Sequence, residues 1–302
     1  MTSDTVAAMV ELTVCICTRN RPDDLSNALK SVQASSVRIS QIIVSDDSTN
    51  DSSRRLVMQS FDDVDFIEGP RKGLCANRNA ALAMVRGTHV LFIDDDATLG
   101  KDFFKTVGEL LDRLSPEMRE RTIVTGLERQ RGLLIHPSDQ TFFGYQERAY
   151  HHDEPLNTVV INATVFPTRL FEQVGFDTNL IYGCDEVDLT TRAVACGYHI
   201  ALCPQAVNDH FPSPVNRDYY QVHLNASRLY VTLKRYVFTE RAYGRAICFA
   251  LLAPLHLAYV LVKRQRVTGI KATAASVVEA AGYLAKYLRS SPDAPPRSST
   301  VH

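Results

Sequence analysis

The chain has 302 residues, enough for one large or two ordinary domains, and 45% of them are hydrophobic, which excludes disorder for most of its length. With 33 Lys and Arg against 34 Asp and Glu the net charge is −1, so no overall field draws the chain to nucleic acid and none is expected as a partner. Residues 241–302 hold nine basic and two acidic side chains, a charge of +7 that leaves −8 on the rest, and a basic end on an acidic body suits an anionic partner.

The seven cysteines, at 15, 17, 75, 184, 196, 203 and 248, are odd in number and scattered, with no CxxC pair. That pattern speaks against a disulfide framework or a zinc site and for a reducing compartment. Met1 to Val10 carries Asp4 and no basic stretch ahead of its apolar residues, so it does not read as a signal peptide and a cytoplasmic protein is expected.

Leu12 to Thr18 (LTVCICT) is a short apolar run rich in β-branched residues and predicts a strand, with Pro22 at the first position of a following helix. Leu25, Ala28, Leu29 and Val32 in that helix follow the spacing of one buried face. Gln41 to Ser45 predicts a second strand, Ser52 to Ser60 a helix, Val64 to Glu68 a third strand, Leu74 to Val85 a helix and Thr88 to Ile93 a fourth strand. Strands that alternate with helices and are apolar at nearly every position predict an α/β fold with a mainly parallel sheet covered on both faces. Beyond residue 116 the pattern is less regular, with a strand expected at Thr158 to Phe166, a helix at Glu186 to Cys196 and a strand at His199 to Cys203. The Pro- and Ser-rich residues 290–302 have the composition of a disordered tail.

Such sheets bind ligands beyond the carboxyl ends of their strands, and those ends are polar here. Strand one ends in Thr18-Arg19-Asn20-Arg21, strand two in Asp46-Asp47-Ser48 and strand four in Asp94-Asp95-Asp96. Three adjacent aspartates repel one another unless a cation compensates, and hard oxygen ligands beside a diphosphate suit Mg²⁺ or Mn²⁺; a solvated acidic loop is the plainer alternative. Asp46-Asp47 fits either a carboxylate that accepts bonds from a base or ribose, or an Asx turn or helix N-cap. Arg19, Arg21, Arg71, Lys72 and Arg78 lie on loops and helix starts that face this edge, and together with the acids they suggest a nucleotide diphosphate. Asp185-Glu186, followed by Asp188 and Arg192, opens a helix, where acids serve either as macrodipole partners or as a general base on a rigid element.

Four segments carry a resemblance: CTRNRPDDLSNALKSV, QIIVSDDSTNDSS, GLCANRNAALAMVRGTHVLFIDDDATL and VGFDTNLIYGCDEVDLTTRAVACGYHIALCP. In order and spacing they resemble a family 2 glycosyltransferase of the GT-A fold over about residues 10–215. The resemblance implies a Rossmann-like nucleotide-sugar half at about 10–115, an acceptor half at about 116–215 and a C-terminal helical region at 216–289. It implies metal-dependent, inverting transfer of a sugar from a nucleotide diphosphate, UDP or dTDP favoured, to a hydroxyl acceptor such as a lipid-linked or surface glycan. On the family pattern Thr18, Arg19 and Asn20 line the nucleotide pocket, Asp47 binds the base and Arg78 reaches the nucleotide or its phosphates. Asp94 and Asp96 match the DxD motif with Asp95 between them on the nucleotide side, Asp96 is the direct ligand of Mn²⁺ or Mg²⁺, and His210 resembles a histidine that in some members lies by the metal or the diphosphate. The family usually shows Glu-Asp at the helix that carries the base. This chain reverses the order, so Glu186 takes the position of the base with Asp185 beside it, and both stay candidates.

Ala246 to Val262 is a 17-residue apolar run interrupted by Pro254 and His256 and flanked by Arg241, Arg245, Lys263, Arg264 and Arg266. It is short of the roughly 20 residues a span needs. A surface-lying helix or hairpin within 241–289, in peripheral contact with the inner face of the cytoplasmic membrane, is expected, against an ordinary core or dimer-interface helix. Two rival functions remain. FIDDDAT also fits the DxDxT motif of haloacid-dehalogenase-like phosphohydrolases, with Asp94 as nucleophile, although that motif normally ends the first core strand. The other rival is a nucleotide-sugar binding module without catalysis.

Overall fold

The computed structural model describes residues 10–212 and 217–290. The expectations for the first nine residues and for the Pro- and Ser-rich end beyond Ser290 lie outside the described residues. In chain order the first half runs β1 (Leu12–Thr18), α1 (Pro22–Gln33), β2 (Gln41–Asp46), α2 (Ser52–Ser60), β3 (Val64–Glu68), α3 (Leu74–Leu82) and β4 (His89–Asp94). The expected helix to Val85 stops at Leu82 because Met84 and Val85 donate to carbonyls only three residues back, which tightens the last turn. There follow β5 (Ala97–Thr98), α4 (Phe103–Leu111), the short α5 (Pro116–Arg119), β6 (Thr122–Gln130), β7 (Leu133–Ile135), β8 (Ser138–Gln140), β9 (Gln146–Ala149) and β10 (Thr164–Pro167). The chain continues through α6 (Asp185–Ala195), β11 (His199–His210), α7 (Arg217–Lys234), one π-helical turn (Arg235–Thr239), α8 (Tyr243–Gln265) and α9 (Val267–Arg289).

One nine-stranded sheet, in the order β3-β2-β1-β4-β10-β6-β11-β5 with β7 on β6, organises the fold. The pairs β2–β3, β1–β2 and β1–β4 are parallel, as expected, but β10 enters antiparallel to both β4 and β6, so the sheet is mixed. The strand expected at Thr158 to Phe166 is thus only half present. A 3₁₀ turn at Ile161–Ala163 precedes β10 and aims the Asn162 side chain at the backbone N–H of Asp94, 2.9 Å away. The strand expected to end at Cys203 instead runs to His210. Pro204 has no N–H to donate, and a register shift between Leu202 and Val207 carries the strand past it.

Both faces of the sheet are covered, and the β1 side chains alternate between two cores. Val14 and Ile16 pack with Leu25, Ala28, Leu29 and Val32 of α1 and with Phe103, Phe104 and Val107 of α4. Cys15 and Phe92 face the opposite core, which takes in Val187 and Leu189 of α6 and continues into α7, α8 and α9. Phe92 is the hub there, edge-on to Phe166, Phe171 and Phe176 at ring separations of 6.4, 5.7 and 5.0 Å. Phe92→Ala is expected to destabilise the fold by about 3–5 kcal/mol, read as an earlier urea midpoint at unchanged slope. The seven cysteines are all free thiols, five of them buried.

Candidate functional site

The strand register brings the polar strand ends together. Thr18 lies opposite Asp46 and Cys17 opposite Asp94, so three strands end side by side. β11 returns His210 to the same edge through its pairing with Ala97.

Thr18 donates its hydroxyl to Asp95 at 2.8 Å, and Arg21 forks onto Asp95 at 3.0 Å and Asp96 at 2.8 Å. Burial pushes the Asp95 carboxyl up to about 7 despite that partner, because its side chain is out of water. Burial also works against the Asp96 anion, but His210 and Arg21 outweigh it and hold the carboxyl below the usual range. His210 stands with Nε2 3.3 Å from Asp96 and Nδ1 2.7 Å from Glu128. Burial disfavours its charge, yet the hydrogen bonds to Asp96 and Glu128 push the imidazole up to about 10.

The residues expected on the nucleotide side sit beside this cluster. Asn20, at φ 58°, receives Thr49 N–H on its side-chain oxygen at 2.9 Å, while its own N–H donates to Ser48 at 2.7 Å. Asp46 accepts from the Ser48 N–H at 2.8 Å, the Asx turn. Asp47 instead accepts the Arg71 N–H at 2.8 Å, and burial raises its carboxyl. Gly69 is required here, since a Cβ would lie 2.2 Å from both the Asp47 and Asn77 side-chain oxygens. Of the five cations that face this edge, Arg21 is already paired with acids, and so is Arg78; Arg19, Arg71 and Lys72 are exposed.

The resemblance places Arg78 at the nucleotide or its phosphates, and in the structure the side chain is 2% exposed between two carboxylates. It pairs with Asp94 at 2.9 Å on one side and with Asp185 on the other. Burial opposes its charge, and Asp185 and Asp94 more than offset that. Asp185 is consumed by this contact. Glu186 is left partly exposed and hydrogen-bonded to the Gln146 side chain, with its carboxyl pushed up to about 7, first by burial and then by the Asp185 charge. The left-handed Gly183 and Cys184, at φ 81° and 61°, turn the chain into α6 so that both acids stand at its first turn. Asp188 lies one turn on and is spent on Arg192 at 2.5 Å and Lys234 at 2.8 Å.

Composition and spacing overlooked Glu128, Asn162 and Gln146. Glu128 ends the buried part of β6, and the β-branched run Thr122-Ile123-Val124-Thr125 was the signal for that strand. Among the described residues no group of three or more His, Cys, Asp or Glu stands ready in metal-holding geometry. The donor types nonetheless fit a hard divalent cation: Asp94 and Asp96 offer carboxylate oxygen, and Glu128 fixes the ring of His210 with Nε2 toward Asp96, the outer carboxylate that metal-binding histidines carry. Two clefts flank this pair on either side of the exposed Phe211, one lined by Asp95 and Asp96 and the other by Arg129, Asp209 and His210.

Residues 13–155 match the sequence pattern of Glycosyl transferase family 2. The matched segment is a little under half of the chain. The family 2 segment contains β1 to β9 and with them every strand-end acid of the site except Asp185 and Glu186. Among curated relatives, Glycosyltransferase GlyA of Streptococcus pneumoniae is 23% identical over 180 residues, 55% of this chain and 26% of that one. The GalNAc(5)-diNAcBac-PP-undecaprenol beta-1,3-glucosyltransferase of Campylobacter jejuni is 34% identical over 96 residues, 30% of this chain and 31% of that one. The chain thus spans about a quarter to a third of the length of these relatives. In fold it is similar to GalNAc-T7, solved with UDP, GalNAc and Mn²⁺, at a TM-score of 0.59 and 12% identity over 74% of this chain and 47% of that one. It is also similar to S. aureus TarS, at 0.52 and 16% over 92% and 55%. The fold is GT-A, an α/β sheet with added C-terminal helices.

Proposed function

We propose that the protein is a glycosyltransferase that moves a sugar, with inversion, from a nucleotide diphosphate sugar to a hydroxyl acceptor. The observation that carries this is the joining of two acidic centres through Arg78, which ties the family 2 strand-end acids to the helix that bears Glu186. Thr18, Arg19, Asn20 and Asp47 form the nucleotide side, and an aspartate facing a pyrimidine imide favours UDP or dTDP. Asp96, Asp94 and His210 would hold Mn²⁺ or Mg²⁺, which when bound supplies positive charge against the leaving diphosphate. Glu186 takes the proton from the acceptor hydroxyl as that oxygen attacks the anomeric carbon, and Asp185 is its neighbour and anchor. A single displacement needs no covalent intermediate and inverts the configuration.

A lipid-linked or surface glycan is the acceptor class we favour, because the C. jejuni relative is named for an undecaprenol-linked substrate. With such an acceptor the protein works at the inner face of the cytoplasmic membrane. The phosphohydrolase alternative loses ground, since Asp94 ends the fourth strand and is held by a buried guanidinium rather than presented as a nucleophile. The binding-module alternative is decided by turnover.

Thermal unfolding with UDP, dTDP, GDP and ADP, each with and without Mn²⁺, tests the reading. A diphosphate at 100 times its Kd should stabilise by about 2.7 kcal/mol. The expected result is a Mn²⁺-dependent rise in Tm with one pyrimidine diphosphate, absent in Asp96→Ala. No rise with any nucleotide would remove the nucleotide-sugar reading.

A further inference from the structure

α8 is 23 residues long and apolar enough by composition to cross a membrane, yet one face of it is committed to the protein. Ala246, Phe249, Ala253, Leu257 and Leu261 are buried. Phe249 packs on Phe142 at 6.1 Å, and His256 stacks flat on Phe143 at 4.1 Å. α9 folds back along α8, and Gly269 lets the two backbones touch, since a Cβ there would lie 2.5 Å from the Leu261 carbonyl. A helix so tied to the loop between β8 and β9 could not enter the hydrocarbon without drawing polar backbone in with it.

The opposite face of α8 is apolar and open. Tyr243, Ile247, Leu251, Leu255 and Tyr259 recur every four residues, and all five are exposed, Leu251 at 67% and Leu255 at 68%. At 1.5 Å per residue this stripe is about 24 Å long. Val267, Ile270 and Val278 are exposed on α9. Between residues 241 and 278 the chain has six Lys and Arg and no acid. Four of these, Lys263, Arg264, Arg266 and Lys271, gather where α8 turns into α9, and none pairs with a carboxylate among the described residues. Two copies of the chain meeting through their hairpins would set cation against cation, with Glu279 the one acid on the hairpin and that one already held by His223 at 2.5 Å, which speaks against a second copy as the occupant.

We propose that the α8–α9 hairpin lies in the plane of an anionic bilayer surface, with the Tyr243–Tyr259 stripe sunk among the acyl chains and the cations at the hairpin turn on lipid phosphates. This deepens the reading of a lipid-linked acceptor. It fixes which face meets the membrane and makes the contact interfacial rather than spanning.

The test is co-sedimentation of the full chain with vesicles of phosphatidylcholine alone or mixed in equal parts with phosphatidylglycerol. Strong binding to the mixed vesicles is expected, weak binding to the neutral ones, and release as salt rises. Leu251→Glu/Leu255→Glu, whose sites are exposed, should weaken binding at least about tenfold at unchanged Tm, and Lys263→Glu/Arg264→Glu should remove the preference for anionic lipid. Equal binding to both vesicles, no binding to either, or a dimer of the wild type that Leu251→Glu/Leu255→Glu converts to monomer would each overturn the proposal. Donor turnover with a soluble acceptor, followed separately, reports on the transferase reading. Wild-type protein that turns over donor but binds neither vesicle condemns the membrane face alone, and wild-type vesicle binding without turnover condemns the transferase.

Discussion

Arg78→Ala is expected to lower kcat by about 100-fold or more while leaving the KM for the donor within a few-fold. The guanidinium is sealed from solvent and touches Asp94 and Asp185, so its removal frees the base helix from the strand that carries the acidic run. Had Arg78 gripped the donor phosphates, as its place in the ANRN segment implies, KM would rise instead. The variant also leaves two carboxylates near each other without their cation, at a cost of about 3–5 kcal/mol. Because that could unfold the chain, Arg78→Lys is the companion: it keeps the charge but cannot fork onto both acids. It should retain a folded Tm and still lose most of kcat. A full kcat in Arg78→Lys with a raised KM would return Arg78 to the phosphates.

The difference between those two roles shows what the sequence could and could not carry. The parallel first half of the sheet was legible because β1, β2 and β4 are short apolar runs with polar residues directly after them, and a parallel sheet fixes where such residues gather. Thr18, Asp47 and Asp94 to Asp96 were singled out in that way, and the structure brings them to one sheet edge. The partners of those residues were not legible, because they come from distant parts of the chain. Glu128 reaches His210 only once β6 and β11 pair in register, and Asn162 reaches Asp94 only through an antiparallel β10 that helix and strand periodicity cannot place. Charge alone also could not tell a free arginine from one that is already paired. Arg19, Arg21 and Arg78 look alike in the sequence, and only burial separates the exposed first from the sealed last. The apolar run in α8 was read correctly as apolar, but which of its faces is covered depends on Phe142, Phe143 and α9.

Glu186→Gln is expected to reduce kcat by about 100- to 10,000-fold with donor binding retained, as loss of a general base does. The pH profile carries the sharper prediction. Burial and then the Asp185 charge lift the Glu186 carboxyl to about 7, so below that pH the base is protonated and cannot accept the acceptor's proton. The wild-type kcat/KM should therefore rise about tenfold per unit up to pH 7 and then level off, and that limb should be missing from Glu186→Gln. The same shift has a signed effect on stability. A carboxyl whose pKa is raised on folding favours the folded state while protonated, and the advantage is lost as pH climbs through 7. Asp185→Asn separates the two acids. It removes the second cause of the shift, so the limb should move to lower pH while a substantial kcat remains, and Arg78 keeps Asp94 as its partner. If Asp185→Asn abolished turnover as completely as Glu186→Gln and the limb of Glu186→Gln stayed in place, the base would be Asp185. Its contact with Arg78 would then have to open for every turnover, whereas Glu186 forms no ion pair among the described residues and needs no such opening.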